Sequence, residues 1–304
     1  MLNAINLTKT YNNGKKIALK DFNIEIPKGS IYGLLGPNGA GKTSFIRIIN
    51  QIIKQDHGDI FFDGEKLSPK HIREVGYMPE ERGLYKNMPI REQLIYLGQL
   101  KGLTRNECIS QIKFWFKELN IEEWEKKKIS ELSKGMAQKI QFIVTVLHRP
   151  KFLILDEPFS GFDPVNASLI REKIINLNKN GTTIILSTHQ MSSVEEMCNH
   201  ISLINNSKKV LDGKIPDIKK RFKQNLFNVI LENFKSSELE SFKCEYFLEN
   251  LEIIGDIITF QVKIKENANS NALLKRLLKI GDIKCFEEKI PSMNDIFIKH
   301  IKTS

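Results

Sequence analysis

At 304 residues, with 41% hydrophobic and 27% charged side chains, the chain can build one or two packed cores; its composition is neither disordered nor fibrous. The formal net charge of +10 is unevenly placed: residues 222–304 hold 12 Lys+Arg and 12 Asp+Glu, so the whole excess lies in residues 1–221, which fits either an anionic ligand or a compositional bias toward lysine. No apolar run approaches the roughly 18 residues of a membrane span, and no apolar core follows a basic head at the start, so neither a span nor a secretory signal is expected. Cys108, Cys198, Cys244 and Cys285 lie far apart without a CxxC pair, which fits a reducing cytosol and offers no metal site.

In chain order, residues 1–35 read as short strands in "LNAINLT", "IALKDFNIEI" and "SIYGLL". "GPNGAGKT" follows, then an apolar helix "SFIRIINQII" and strands in "GDIFFDG" and "EVGYM". From Tyr85 to about Arg149 the pattern turns helical, with "IREQLIYLGQL" and "NECISQIKFWFKEL" showing apolar residues at three- and four-residue spacing. Strand–helix alternation returns with "KFLILDE", a helix opened by Asp163-Pro164, "TTIILSTH", "MSSVEEMCN", "HISLI" and "KKVLDG". Such interleaving predicts an α/β fold with a parallel sheet, split by a helical insert. A boundary falls near "GKIPDIKKRF", where a proline and a basic run interrupt the pattern. Beyond it, "NLFNVILE", "KCEYFLE", "DIITFQVKIK" and "DIKCFEEK" read as strands and "NALLKRLLKI" and "SMNDIFIKHI" as helices, a small α+β domain.

Three motifs carry chemistry. "GPNGAGKT" matches G-x-x-x-x-G-K-[ST] between an apolar strand and a helix, the context that motif needs. Gly36, Gly39 and Gly41 let the backbone curl so that its N–H groups face phosphate oxygens, and the helix N-terminus adds positive potential. Lys42 reaches β- and γ-phosphates and Thr43 offers a hydroxyl to Mg²⁺. Pro37, Asn38, Ala40 and the following Ser44 complete the candidate ATP-binding set. "FLILDEP" is a buried strand with Asp156 at its end, placed to hold Mg²⁺, and Glu157 next to it as candidate base or water orienter. "STH" ends the next strand, so His189 shares the sheet edge with Asp156; it is either a γ-phosphate and Glu157 contact or a satisfied buried histidine.

The motifs "GPNGAGKT", "LSKGM", "FLILDEP", "SGFD" and "STH", in this order, resemble those of the nucleotide-binding subunits of ATP-binding cassette (ABC) transporters over roughly residues 2–220. The resemblance implies a P-loop ATPase core (1–221) with a helical signature subdomain (about 85–150), an antiparallel β subdomain, and a small α+β accessory domain (222–304). It implies an ATPase using ATP and Mg²⁺, with Lys42, Glu157 and His189 in catalysis. Tyr11 looks like the aromatic that stacks on adenine. Ser133, Lys134, Gly135 and Met136 look like the signature that completes the ATP site of a partner protomer, homo- or heterodimeric. Asp163 looks like the residue that crosses that interface, and is also an ordinary N-cap before proline. Where the family usually has a metal-binding glutamine, this chain has Glu80 in "YMPEERG", still a hard oxygen ligand beside Thr43 and Asp156.

"PEERG" and "LSKG" are similar to variants in ATPases of ABC-2-type exporters, including the NatA sodium-extrusion group. The resemblance implies a separate membrane permease, a peripheral position on the cytoplasmic face of the membrane, and no nucleic-acid partner. Sodium, drug or peptide export falls within that group. The helical arm near residues 80–120 would dock on the permease, with the aromatics "FWF" at 114–116 either serving there or forming the subdomain core. Two other readings stand beside this one. A soluble ABC ATPase acting on nucleic acid or ribosomes fits the charge, but Lys42 and Asp156 are only 114 positions apart, without room for a long coiled coil, and there is a single "GKT". An importer ATPase with a ligand-sensing tail would also fit. In all of these readings Ser133 caps a helix whose apolar face is Met136, Ile140, Ile143, Val144 and Leu147.

Overall fold

The computed structural model describes residues 1–81, 83–265 and 269–302, so Arg82 of "PEERG" lies outside the described residues. The chain divides into two compact units, one of Met1–Ile215 that also takes in His300, the other Pro216–Lys299.

The first unit opens with β1 (Leu2–Tyr11) and β2 (Lys16–Ile26), an antiparallel pair, and β3 (Ile31–Leu35). Helix α1 (Lys42–Ile49) follows, then β4 (His57–Phe62), the short β5 (Glu65–Lys66) and β6 (Val75–Met78). The helical part comprises α2 (Ile90–Leu100), α3 (Arg105–Glu118) and α4 (Lys134–Val146). Next come β7 (Phe152–Asp156), α5 (Pro164–Lys179), β8 (Thr183–Ser187), α6 (Met191–Met197), β9 (His200–Asn205) and β10 (Lys208–Lys214). Two sheets result: an antiparallel one in the order β2-β1-β4-β5, and a six-stranded one in the order β10-β9-β3-β8-β7-β6. In the latter all neighbours are parallel except β10, which runs against β9.

β3, β7 and β8 are buried along their full length, which is why they read as unbroken apolar runs rather than alternating ones. α1 lies in the core that joins the two sheets: Phe45 meets Phe22 of β2 at 5.0 Å between ring centroids, and Phe62 of β4 meets Phe152 of β7 at 5.8 Å. α1 is shorter than the expected "SFIRIINQII". It stops because Gln51 takes a left-handed φ of 56°, while the Asn50 side chain donates back to the Ile46 carbonyl. α3 begins at a capping box between Thr104 and Glu107. Of the "FWF" aromatics, Trp115 and Phe116 are buried and Phe114 is 51% exposed.

α7 (Ile215–Arg221) occupies the "GKIPDIKKRF" segment, with Pro216 in its first turn, where a missing N–H costs nothing. Beyond it come β11 (Leu226–Glu232), α8 (Ser236–Glu245), β12 (Leu248–Ile254), β13 (Ile257–Lys263), α9 (Ser270–Ile280), β14 (Asp282–Glu288) and α10 (Met293–Lys302). The sheet order β12-β13-β11-β14, all antiparallel, is a split β-α-β arrangement. "KCEYFLE" is not one strand. Its first residues end α8, whose Leu239 and Phe242 are buried in the domain core, and only Leu248 and Glu249 belong to β12.

In the first unit the helical part is tied to β6 by two side chains. Lys101 Nζ donates to the carbonyls of Ile72 and Val75 at 2.9 and 2.8 Å. His148 Nε2 lies 3.2 Å from the Val75 carbonyl, and burial, with Lys101 nearby, pushes the imidazole down from 6.5 to about 4. A histidine held neutral in the folded state stabilises fully above the unfolded value of 6.5; that stability is lost as pH falls toward 4. Urea titrations at pH 7.5 and pH 5 should show a loss of about 2 kcal/mol that His148→Asn removes; equal pH slopes for the two proteins would contradict this.

Candidate functional site

The site starts where β3 ends. The loop leaving it passes under β9 and over β2 at distances only glycine permits. A Cβ on Gly36 (φ 150°) would lie 2.3 Å from the Ile204 carbonyl oxygen, and one on Gly41 (φ 122°) 2.3 Å from that of Ala18. Gly41 then caps α1, whose first N–H groups face the loop. Lys42 folds back over the loop it follows, with Nζ 2.6 Å from the Gly36 carbonyl and 3.1 Å from that of Pro37. Ala40 is buried beneath the curl.

Beside this loop is a cleft of about 180 Å³ lined by Asn38, Gly39, Gly41, Lys42, Thr43 and Ser44 from the loop, by Tyr11, Lys16 and Ala18 from the antiparallel sheet, and by Glu80, Asp156, Glu157 and His189. The Tyr11 hydroxyl lies 3.2 Å from Ser44 Oγ. A larger cavity of about 560 Å³ lies elsewhere, between α3 and α5, and shares none of these residues. The smaller cleft is the candidate because the loop and the carboxylates converge on it.

β7 and β8 are parallel neighbours with Asp156 opposite Ser187, so the residues just past both strands meet. Glu157 sits there with φ 49°, a left-handed backbone that costs a non-glycine residue on the order of 1 kcal/mol. The strain aims its carboxylate into three hydrogen bonds. Oε2 accepts from the Thr188 hydroxyl at 3.0 Å, and Oε1 accepts from the His189 backbone N–H at 3.0 Å and lies 2.6 Å from His189 Nδ1. The His189 ring is 68% exposed, so of the two sequence readings the satisfied buried histidine is excluded, and the Glu157 contact is observed.

The charges are mutually adjusted. Burial holds Lys42 below the usual ammonium range, against the pull of Asp156, Glu157 and Glu80. Burial raises Asp156 above the usual carboxylate range, with Glu157 and Glu80 adding to the rise and Lys42 opposing it. A site with a carboxylate pushed up and an ammonium pushed down gains from a dication and a polyanion arriving together. The donors fit Mg²⁺: the Thr43 hydroxyl and the Asp156 and Glu80 carboxylates are hard oxygens facing one cleft. No group of three or more His, Cys, Asp or Glu among the described residues forms a metal cage, and Mg²⁺ commonly relies on phosphate and water for the rest of its shell.

Ser133, Lys134, Gly135 and Met136 do not line this cleft. Ser133 caps α4, accepting from the Met136 N–H at 3.3 Å, and Ser133 and Lys134 are exposed. Gly135 lies against the loop before α5, where an added Cβ would be 3.4 Å from the Gly161 carbonyl oxygen. Asp163 is exposed and caps α5, accepting from the Asn166 N–H at 3.0 Å, which holds its carboxyl below the usual range. The sequence reading did not single out Lys16 or Ala18. Their one signal was position, just past the hairpin turn that Tyr11 enters.

Comparison with known proteins agrees with this geometry. Residues 19–160 match the family model described as ABC transporter, and residues 213–301 that of the ATP-binding protein DrrA1-3-like C-terminal domain. The chain is 38% identical to YhaQ of Bacillus subtilis, an uncharacterized ABC transporter ATP-binding protein, over 99% of this chain and 98% of that one. It is 34% identical to the linearmycin resistance ATP-binding protein LnrL of the same species, over 72% of this chain and 70% of the relative. It is 30% identical to the B. subtilis ABC transporter ATP-binding protein NatA, over 72% and 91%. Among solved structures, an ATP-binding subunit of an ABC transporter superposes with a TM-score of 0.68 at 28% identity, covering 73% of this chain and 93% of that one. The phosphate loop, the strand-end carboxylates and these likenesses converge on one conclusion: the chain belongs to the ABC transporter ATP-binding subunits and is an ATP-binding ATPase of that family.

Proposed function

We propose that this chain is the motor subunit of an exporter: it works as a pair on a separate membrane permease and hydrolyses ATP at two shared sites. The observation that carries the reading is the clamp on Glu157, whose carboxylate is fixed by Thr188 and His189 at the rim of the phosphate-loop cleft. Lys42 exchanges the carbonyls of Gly36 and Pro37 for β- and γ-phosphate oxygens. The loop from Gly36 to Ser44 wraps the phosphates with its N–H groups, and Tyr11 leaves Ser44 to cover the adenine. Thr43, Asp156 and Glu80 would hold Mg²⁺, whose charge would neutralise that of the phosphates. Glu157 accepts the proton of the attacking water, and His189 keeps that carboxylate aimed at it.

Ser133–Met136 of the same chain do not line the cleft and so add no hydrogen-bond donors to it. A partner's signature helix supplies them, with Asp163 at the seam. Closure then excludes water and adds donors where charge builds up. Support for a permease comes from a second groove of about 450 Å³, lined by Ile52, Ile72, Tyr77, Leu97, Leu100 and His148 among others. Ile52 and Leu100 are 59% and 64% exposed there, apolar side chains that a membrane partner would cover. No helix among the described residues is long and apolar enough to cross a membrane. The relatives support the export reading: one of them carries resistance to linearmycin in its name.

Glu157→Gln should leave ATP binding intact, reduce turnover by about 10²–10⁴, and accumulate a dimer in ATP, read by phosphate release and light scattering. Unchanged hydrolysis would remove Glu157 from its role. Mixing Ser133→Arg chains with Lys42→Ala chains should restore one working site per dimer. A mixture as inactive as either parent would contradict sharing between protomers.

A further inference from the structure

Gln141 lies on the buried side of α4, 3% exposed, among Ile140, Phe142 and Ile143. A primary amide in such a position must satisfy both its ends or be held there for a reason. Its Nε2 donates to the Pro79 carbonyl at 2.8 Å and to the Glu81 carbonyl at 3.4 Å. These are the two carbonyls that bracket Glu80. Because both can only accept, the amide nitrogen has to face them. Its Oε1 is then left buried with no partner among the described residues. An amide used only to fill the core would not keep this arrangement when leucine or methionine fills the same volume.

The consequence is mechanical. The loop leaving β6 carries Glu80 into the nucleotide cleft and raises the electrostatic strain on Asp156. The bonds from Gln141 anchor that loop to α4, whose first turn is the Ser133–Met136 signature. The two ends are eight residues apart on one rigid helix, a separation of about 12 Å. Position of the signature and position of Glu80 therefore change together.

We propose that Gln141 is a positioning residue that fixes the Glu80 carboxylate for Mg²⁺ and links it to the signature end of α4. The proposal rests on the reading of Glu80 as a metal ligand. Side chains that hold a ligand in place typically cost tenfold or more in metal affinity when removed.

The test uses full-length protein with a non-hydrolysable ATP analogue and Mn²⁺ as the probe, its affinity read by electron paramagnetic resonance. Gln141→Met, which keeps length and loses the donor, should weaken Mn²⁺ about tenfold and leave analogue binding in EDTA unchanged. Gln141→Lys, which offers a donor to the same carbonyls as Lys101 does to those of Ile72 and Val75, should restore affinity to within about threefold. In a Glu80→Ala background Gln141→Met should change nothing further, whereas a purely structural role would give additive losses. If the methionine variant melts below the assay temperature, Gln141→Asn, which withdraws the amide by one methylene, replaces it with the same expectation. Unchanged Mn²⁺ affinity in Gln141→Met, with Glu80→Ala clearly weakened, overturns the proposal alone. Unchanged affinity in Glu80→Ala itself overturns the underlying reading.

Discussion

Between β3 and α1 the backbone runs against the Ile204 carbonyl on one side and the Ala18 carbonyl on the other, with room for no side chain at either place. That double contact fixes the loop between the two sheets, and the rest of the site is placed by it. α1 starts where the loop releases the chain, so its free N–H groups point into the cleft. Lys42, the first helical residue, has nowhere to reach except back over the loop. Tyr11 and Lys16 flank the opening because β1 and β2 hold the Ala18 side of the same contact. A methyl group at position 36 or 41 would push the loop off one sheet and separate the groups that the cleft brings together.

The other half of the site is electrostatic. Three carboxylates, Glu80, Asp156 and Glu157, stand around one partly desolvated lysine, and burial displaces the charges of Lys42 and Asp156 in opposite directions. Such a site is incomplete by design of its charges. A magnesium–triphosphate unit would relieve both displacements together, and in the proposed pair that relief would supply energy for closure. The strained backbone at Glu157 belongs to the same economy: it is held by Thr188 and His189, two residues just past the neighbouring strand, and would relax without them.

Much of this was legible in the sequence because the residues act locally. The loop motif lies between a strand and a helix, the aspartate and glutamate follow an apolar run, and serine precedes an apolar helical face; each reads within ten residues. What escaped depends on tertiary partners. "KCEYFLE" reads as a strand by composition, yet Phe242 and Leu239 three residues apart commit the segment before it to α8. α1 reads as running through Ile53, and ends earlier because the Asn50 amide and a left-handed Gln51 turn the chain. Gln141 was visible only as a polar residue inside "KIQFIV"; its meaning needs the two carbonyls some sixty residues upstream. The groove at Ile52 and Leu100 also joins segments far apart in sequence.

In the proposed pair, the signature end of α4 meets the phosphate loop of another copy. A chain with Asn38→Cys and one with Lys134→Cys, both with Cys244 and Cys285 replaced by serine and carrying Glu157→Gln, test it by disulfide cross-linking. Both native cysteines are solvent-accessible, while Cys108 and Cys198 are buried and stay. A cross-linked dimer containing one chain of each kind should form in ATP and not in ADP. Cross-linking that ignores the nucleotide, or none at all, would contradict it.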